Sequence, residues 1–86
     1  MIYKRPPLVE IIWIDAYSKS GWHDEGKWDH EVEHEYLVRS SGYLIAKTKA
    51  KYLLAMCLTC ENTVGEIFSI PRGCVKNVRE IEELKN

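Results

Sequence analysis

The chain has 86 residues, of which 45% are hydrophobic and 29% are charged, and its formal net charge at pH 7 is -1. This length predicts one domain over residues 1–86, which buries only about 60–65% of the surface that its unfolded chain exposes. A net charge this close to zero provides no overall basic field, so the composition disfavours nonspecific binding to nucleic acid.

The sequence carries no pattern typical of export or membrane insertion. No apolar run approaches the ~18 residues of a spanning helix, and residues 1–7 lack the charged-then-apolar order of a secretory signal. Its three cysteines are an odd number for a secreted disulfide framework, which fits a reducing compartment. We therefore expect a cytosolic protein with no membrane partner.

The N-terminal part of the chain predicts one strand and one long loop. Residues 8–17 are rich in β-branched and aromatic side chains, which is typical of a strand. Residues 18–35 are dominated by Ser, Gly, His, Asp and Glu, and they predict a loop with one helical turn near residues 29–34. Disordered segments are poor in aromatic residues, whereas this loop contains Trp22 and Trp28. We expect the loop to fold back on the sheet.

The middle of the chain predicts two more strands, over residues 36–47 and 52–59, joined by a turn rich in lysine. The small residues Ser40 and Gly42 would let the first of these strands bend sharply. Leu44 shares their face of the strand, and Leu44 and Ile12 of the first strand are candidate core residues.

The C-terminal segment predicts two short strands, over residues 67–70 and 75–81, after a turn at residues 62–65. Pro71-Arg72-Gly73 joins these strands as a tight turn, because proline cannot donate to a ladder and glycine accepts a positive φ. Five short strands without a substantial helix predict an all-β fold, in the form of a small, strongly bent five-stranded antiparallel barrel.

Several of these strands are apolar on both faces. In the first strand, Ile11 and Trp13 lie on one face while Ile12 and Ile14 lie on the other. The outer face of a small barrel meets water, and large exposed apolar patches usually mark interfaces. We therefore expect the Trp-containing loop, a second copy of the chain, or both to cover the outer face. This predicts a homo-oligomer.

The loop contains a pattern that is typical of zinc proteases. His30-Glu31-Val32-Glu33-His34 matches H-E-x-x-H, in which two histidines on one helix bind zinc and the glutamate activates water. No histidine follows His34, and Val32 is the one apolar residue that could anchor a helix in this segment. We interpret the segment as a solvated, charged loop and expect no metal site.

Cys57-Leu58-Thr59-Cys60 forms a C-x-x-C pair, but a structural zinc site needs four ligands, and only Cys74 or a distant histidine could complete it. Redox activity would require a helix N-terminus to lower the pKa of a thiol. We expect the cysteines to be buried packing thiols. The sequence also offers no defensible catalytic triad, phosphate loop or carboxylate pair, so we expect neither catalysis nor a cofactor.

The residues best suited to recognition are cations on strands or at the closing turn, together with aromatic side chains. Guanidinium groups beside aromatic planes can neutralise a phosphate and stack a base. The predicted ligand-binding residues are Trp22, Trp28, Arg39, Tyr43, Arg72 and Lys76. The alternatives are that the cations are solvated, outward-facing residues and that the tryptophans cover the barrel or a subunit contact.

The sequence IPRGCVKNVR at residues 70–79 resembles the closing segment of a group of short proteins encoded in bacteriophage and prophage genomes. SGYLI at residues 41–45 and WID at residues 13–15 add to this resemblance, which spans nearly the whole chain. The resemblance implies a small accessory phage protein that acts in the cytoplasm of the host bacterium.

A weaker resemblance is to Sm-like RNA-binding barrels. Their second signature is an Arg-Gly pair followed by an alternating apolar strand in a ring-forming subunit, and Arg72-Gly73 precedes such a strand in this chain. The first apolar position here comes one residue earlier than in that signature. The resemblance implies a barrel of the Sm-like or Src-homology-3-like type.

These observations support one leading hypothesis and two alternatives. The leading hypothesis is a non-enzymatic, homo-oligomeric phage protein that sequesters a small anionic ligand such as a cyclic nucleotide. In size and compartment the chain is similar to compact phage proteins that trap the nucleotide signals of bacterial defence. The first alternative is an Sm-like module that binds RNA or single-stranded DNA. The second is a virion or assembly component without a ligand.

Overall fold

The computed structural model describes residues 2, 3 and 5–82. Within these residues, five strands, one short α-helix and one 3₁₀ turn follow one another. Their bounds are β1 Leu8–Asp15, α1 Asp29–Glu33, β2 Tyr36–Lys47, β3 Lys51–Leu58, β4 Val64–Pro71, the 3₁₀ turn Arg72–Cys74 and β5 Val75–Glu80. The prediction of an all-β chain with five antiparallel strands is confirmed.

The strands form one antiparallel sheet in the order β4-β3-β2-β1-β5. The pairing between β1 and β2 extends from Leu8 opposite Tyr43 to Asp15 opposite Tyr36. β4 and β5 are the two edges, so the sheet is open. The closed barrel that the sequence predicts is therefore observed only as a five-stranded open sheet.

The connection between the two edges requires the sheet to curve strongly. In a flat five-stranded sheet the edges would lie roughly 19 Å apart, since neighbouring strands are about 4.8 Å apart. The chain passes from Pro71 at the end of β4 to Val75 at the start of β5 through the 3₁₀ turn alone. Four residue steps span at most about 14 Å even when fully extended. The two edges therefore approach each other at this corner.

The hydrophobic core lies on one face of the curved sheet, which we call the inner face. Ile11, Ile70 and Val9 are its largest fully buried side chains. The other buried members of the cluster are Trp13, Leu44, Tyr52 and Leu54. Full burial of one such aliphatic side chain contributes about 1.5–3 kcal/mol, so this cluster is the main source of stability.

Gly42 lies at a close approach of β2 to β3. A Cβ atom at this position would lie 2.9 Å from the backbone oxygen of Ala55, which is too close for ordinary contact. The register of the β2–β3 pairing also shifts between Leu44 and Ala46, as in a β-bulge. A glycine and a bulge both permit local bending, which is the behaviour that the small residues of this strand predict.

The opposite face of the sheet, which we call the outer face, is apolar as well. Ile12 and Ile14 of β1 are half-buried, and Leu37 of β2, which pairs with Ile14, is 55% exposed. The fold buries Ile11 completely and leaves its neighbour Ile12 on the outer face. Alternation alone did not decide between these two faces, because both carry aliphatic residues.

The loop between β1 and β2 does not fold back on the sheet, so that prediction is wrong. Every residue from 16 to 30 is exposed, and the side chain of Trp22 is fully exposed. Gly21 and Gly26 have φ angles of 93° and 83°, which allow the chain to turn where other residues would be strained. The molecule accordingly measures 55 × 28 × 20 Å. The loop leaves the outer face uncovered.

The predicted strand ranges agree with the structure to within one residue except at the end of β1, which stops at Asp15 and not at residue 17, and at the start of β4. This strand begins at Val64, three residues before the predicted range 67–70. The preceding turn closes early because Thr59 N–H donates to the Thr63 carbonyl at 2.9 Å and the hydroxyls of these two residues lie 2.5 Å apart. Asn62 has a φ of 61°, a value that asparagine tolerates better than most residues.

Candidate functional site

The loop between β1 and β2 forms a cavity of about 380 Å³, which we call the loop cleft. Aromatic rings, nitrogen bases and one carboxylate line it: Tyr17, Lys19, His23, Lys27, Trp28, His30 and Glu31. A neighbouring cavity of about 520 Å³ shares four of these residues and reaches Tyr36 at the base of the loop. The two cavities therefore adjoin each other across these shared side chains.

Two tight backbone turns shape the loop cleft. The Lys27 N–H donates to the Asp24 carbonyl at 3.0 Å, and Gly26 between them has a positive φ. The Glu31 N–H donates to the Trp28 carbonyl at 2.8 Å, which begins the single turn of α1. These turns bring the side chains of Lys27 and Trp28 to the same cavity as Glu31.

Glu31 is the polar centre of the loop cleft. Its carboxylate accepts hydrogen bonds from the Tyr17 hydroxyl at 2.5 Å and from Lys19 Nζ at 2.6 Å, and His30 Nε2 lies 2.5 Å away. The Lys19 hydrogen bond, followed by that of Tyr17, lowers the pKa of Glu31 from 4.5 to about 2. The same contact raises the pKa of Tyr17, because the phenol donates to a carboxylate. Glu31 is therefore ionised at neutral pH and Tyr17 is a stable donor.

His30 is held between an acceptor and a donor. Its Nε2 atom lies 2.5 Å from the Glu31 carboxylate and 3.3 Å from Lys19 Nζ. With a hydrogen on Nε2 the ring donates to Glu31, and without one the same atom accepts from Lys19, so the two bonds exclude each other.

An aromatic cluster supports the base of the loop. The ring of Tyr17 meets the ring of His34 edge-to-face at 5.2 Å between centroids, and it packs against Tyr36 at 5.8 Å. Tyr36 is the first residue of β2. This cluster anchors one wall of the loop cleft to the sheet, even though the loop tip is exposed.

Among the residues that line the loop cleft, two lysines outnumber the single carboxylate, although Asp24, Glu25 and Asp29 lie in the same loop. Glu31 pairs with Lys19, so these two charges offset each other. Within residues 5–82, no hydrogen bond or ion pair engages the side chain of Lys27 or of His23. The ammonium of Lys27 and the imidazole of His23 therefore remain available to an incoming anion.

The H-E-x-x-H segment lacks the helix that this pattern needs. α1 ends at Glu33, and His34 lies beyond it with extended backbone angles of φ -73° and ψ 129°. His34 packs against Tyr17 while His30 contacts Glu31, so the two histidines do not share one helical face. In the part of the chain that the structure describes, no group of three or more His, Cys, Asp or Glu side chains could hold a metal ion.

The structure separates the two predicted tryptophans. Trp28 lines the loop cleft and is 44% exposed. Trp22 is fully exposed at the loop tip and does not line the cleft. Only one of the two indoles is therefore positioned beside the cations of the loop.

Arg39 and Tyr43 lie on the outer face of β2, away from the loop cleft. The Arg39 side chain is 70% exposed, and its Nη1 atom lies 3.8 Å from the Glu10 carboxylate. Arg79 of β5 binds the same carboxylate more closely, at 2.9 Å, and this hydrogen bond lowers the pKa of Glu10. Tyr43 is half-buried and pairs with Leu8 of β1.

Arg72 and Lys76 make contacts within the fold. Arg72 Nη1 donates to the Thr48 carbonyl at 3.2 Å, and its guanidinium lies 5.8 Å from the centre of the Tyr52 ring. Lys76 Nζ forms an ion pair with Glu35 at 3.0 Å, which links β5 to the end of the loop. The six predicted ligand-binding residues therefore lie in several separate regions and do not form one site.

The cysteines also differ from the prediction. Cys57 and Cys60 are exposed free thiols, so the expectation that they are buried packing groups is wrong for both. β3 ends at Leu58, and the turn that follows carries Cys60 into solvent. Cys74 is half-buried and packs against the hydrophobic core.

Most residues of the loop cleft were missed by sequence reasoning, which searched for cations on the strands and at the closing turn. The missed residues are Tyr17, Lys19, His23, Lys27, His30 and Glu31. The available signal was the alternation of basic and aromatic residues between Tyr17 and His30. That pattern is informative because a loop must contact itself through such side chains when it has few aliphatic residues.

Comparison with known proteins finds no matching family model, no similar curated protein and no similar solved structure. Among residues 2, 3 and 5–82, no helix has the length and apolarity needed to cross a membrane. The geometry of the loop cleft is therefore the basis for a functional proposal.

Proposed function

We propose that this chain is a non-enzymatic protein that captures a small anionic ligand of the nucleotide class in the loop cleft. The observation that carries this proposal is the meeting of Trp28 with Lys27 and His23 in one cavity of about 380 Å³. In this proposal the chain is a phage accessory protein in the cytoplasm of a host bacterium, where it sequesters a nucleotide signal of host defence.

The chemistry of the loop cleft supports a ligand with both a ring and a phosphate. The indole of Trp28 offers a plane on which a base can stack, and such stacking contributes about 1–3 kcal/mol per base. Lys27 and His23 offer nitrogen donors to phosphate oxygens. Since Glu31 offsets the charge of Lys19, the charge of Lys27 is the one that a phosphate would meet.

The size of the loop cleft also supports this ligand class. Small-molecule sites typically measure about 300–1,000 Å³, and the loop cleft lies within that range. The adjoining cavity of about 520 Å³ offers space for a second phosphate or a second ring. Trp28 is 44% exposed, so a bound base would cover apolar surface that now meets water.

We also propose that the curved sheet belongs to the Sm-like or Src-homology-3-like barrels. The strand order and the short 3₁₀ connection between the edges support this assignment. It keeps open a second function, the binding of RNA or single-stranded DNA on the outer face. The exposed guanidinium groups of Arg39 and Arg79 favour that function, whereas the net charge of -1 weighs against it.

Titration calorimetry with cyclic mononucleotides, cyclic dinucleotides and cyclic ADP-ribose isomers tests the loop cleft. We expect at least one compound to bind with measurable heat and to raise the melting temperature. Trp28→Ala should weaken that binding about tenfold, because it removes the stacking plane. Lys27→Ala should weaken binding and reduce its dependence on salt concentration, because it removes the unpaired charge.

Arg72→Ala is the matched control, since Arg72 donates to Thr48 at a distance from the loop cleft. We expect this variant to melt at a lower temperature and to bind the ligand with unchanged affinity. The absence of heat and of thermal stabilisation across the panel would contradict the proposal. Binding that survives Trp28→Ala but not Arg72→Ala would move the site to the closing turn. Binding to a single-stranded oligonucleotide alone, with steep salt dependence, would favour the second function.

A further inference from the structure

Trp22 lies at the tip of the loop with its indole entirely in solvent. No other large apolar side chain of the described residues is as exposed. Gly21, directly before it, and Gly26 both adopt positive φ angles, and the residues between them are all exposed. Tryptophan carries a large apolar surface and is among the residues most enriched at the centres of protein interfaces. The tip therefore presents a residue type that usually inserts into a partner.

A second cavity lies between β2, β3 and β4, and we call it the sheet cleft. It measures about 320 Å³. Leu54 in its lining is 3% exposed, whereas Met56 and Phe68 are 71% and 45% exposed. The ring of Phe68 packs edge-on against Trp13 of the core, with 5.6 Å between centroids. The hydrophobic core thus extends to the surface at the sheet cleft.

We propose that Trp22 of one copy inserts into the sheet cleft of a second copy, and that this contact holds a homo-oligomer together. A volume of about 320 Å³ is at the lower end of the range for small-molecule sites, about 300–1,000 Å³, and suits one aromatic side chain. The contact would cover the indole of Trp22 together with the exposed surfaces of Met56 and Phe68. It does not depend on the ligand proposal, because Trp22 does not line the loop cleft.

The charges around the two partners of this contact are complementary. Asp24 and Glu25 follow Trp22 in the tip. Arg39 lines the sheet cleft with a side chain that is 70% exposed, and its 3.8 Å contact with Glu10 is longer than the 2.9 Å contact of Arg79 with the same carboxylate. Arg39 projects from the outer face of β2 and borders the sheet cleft at its rim, so its exposed guanidinium can turn to an acidic tip while Arg79 continues to neutralise Glu10.

The carboxylate of Glu66 in the sheet cleft determines the orientation in which the tip can enter. Glu66 lines the cleft from β4, while Arg39 lines it from β2, on the other side of β3. A tip that entered with Asp24 and Glu25 beside Glu66 would place like charges together, which is unfavourable. The tip must therefore enter with its acidic side towards β2.

A second copy is the partner that these features fit. The tip does not occupy the sheet cleft of its own chain, because residues 16–30 are all exposed. When two copies exchange tips reciprocally, both clefts are filled by two equal contacts, as in a two-fold symmetric dimer. Both halves of the contact are then present on one chain, and no further component is needed.

Sedimentation equilibrium of the full chain and of single variants tests this contact. We expect the wild-type chain to associate reversibly, and Trp22→Ala to weaken association about tenfold or more. Met56→Asp should weaken it similarly, because it adds a carboxylate where the acidic tip enters. Phe68→Ser removes the apolar surface of the cleft directly, and Met56→Asp keeps the test valid if Phe68→Ser fails to fold.

Two control variants distinguish the contact from nonspecific association through exposed apolar side chains. Val32→Ser removes a loop residue that is 77% exposed, and Ile67→Ser removes the 59% exposed neighbour of Phe68 on the outer face. Both variants should associate like the wild type. A mixture of Trp22→Ala and Met56→Asp chains should associate with each other, because one supplies an intact cleft and the other an intact tip.

Several results would overturn the contact. These are a wild-type chain that stays monomeric at high concentration, a Trp22→Ala variant that associates normally, or a mixture that stays monomeric although each variant is folded. Loss of association in Ile67→Ser alone would instead assign the interface to the outer face. If the chain is monomeric and Trp22 shows the fluorescence of a buried indole at every concentration, the tip enters the sheet cleft of its own chain.

Discussion

The curved sheet and the loop between β1 and β2 are ordered by different interactions. The sheet is held by a buried cluster in which Ile11 and Ile70 have no exposed surface. The loop has no buried residue from 16 to 30, and its order depends on polar contacts centred on Glu31. Apolar burial is insensitive to salt and to moderate changes of pH, whereas exposed ion pairs respond to both. The loop can therefore change its structure under conditions that leave the sheet intact.

The comparison also explains why the candidate ligand site is on the loop. The core of the sheet is closely packed, and the sheet cleft is smaller than the loop cleft. The polar side chains of the loop contact one another, and cavities remain between them. Such a surface can rearrange around a ligand at a small cost in free energy, because ion pairs between exposed side chains stabilise a fold only weakly.

The largest expected effect sharpens the contrast between the two faces of the sheet. Ile11→Ala should lower the free energy of unfolding by about 2–5 kcal/mol, because it leaves a cavity in the core. Ile12→Ala, one residue along β1, should cost clearly less, because Ile12 is only half-buried on the outer face. Urea unfolding followed by circular dichroism measures both values. Equal losses would show that the outer face is covered as completely as the core.

An intermediate loss of stability is expected from a substitution at Gly42, where β2 lies close to β3. Gly42→Ala would place a methyl group 2.9 Å from the Ala55 carbonyl, so the strands must shift, at a cost of about 1–3 kcal/mol. Gly65→Ala is the matched control within the sheet, because its new methyl group would meet Cys57 at an ordinary 3.8 Å. Thermal melting of the two variants compares them. A Gly42→Ala variant as stable as Gly65→Ala would contradict the tight approach.

The smallest effect concerns the loop and its dependence on pH. The pKa of Glu31 is lowered in the folded chain from 4.5 to about 2, so its ion pair stabilises the loop above pH 4.5. This contribution decreases as the pH falls from 4.5 towards 2, where the carboxylate takes up a proton. We expect the indole N–H signal of Trp28 in NMR spectra to shift as the pH approaches about 2, where Glu31 of the folded chain takes up its proton, while the indole signal of Trp13 in the core stays constant.

Glu31→Gln isolates this contribution from other acidic groups. Glu10 on the sheet also has a lowered pKa, because of its hydrogen bond with Arg79, and it acts in the same direction. The variant should remove the pH dependence of the Trp28 signal. It should leave unchanged the pH dependence of the sheet's stability, to which Glu10 contributes. A Trp28 signal that still moves over the same range in Glu31→Gln would assign the effect to a different group.

The strands could be predicted from the sequence because their local signals agree with their final environment. β-branched and aromatic residues mark β1, and Pro71 marks the last turn, although Gly73 lies in a 3₁₀ turn without the positive φ for which it was predicted. The inner face could not be chosen in β1, because Ile11 and Ile12 are equally hydrophobic. That choice depends on how β1 pairs with β2 and β5, which is a property of the whole sheet.

The candidate site was harder to predict than the fold. Trp28 was recognised, but Lys27 and His23 were not, because the sequence alone does not show that the loop contacts itself. Arg72 was chosen for its place at the closing turn, where its guanidinium instead contacts Thr48 and Tyr52. A sequence does not distinguish a cation that stabilises a turn from one that is available to bind a ligand. Only the three-dimensional contacts distinguish them.

The pairing of Asp15 with Tyr36 has a consequence for how this protein could vary. The chain leaves the sheet at Asp15 and re-enters it at the paired residue Tyr36. The loop between them is therefore an insert whose two ends are fixed by the sheet. Lengthening or replacing such an insert costs little, since the entropy of closing a segment grows slowly with its length. The same sheet could therefore carry inserts of different sequence, each with its own specificity, while its strands remain unchanged.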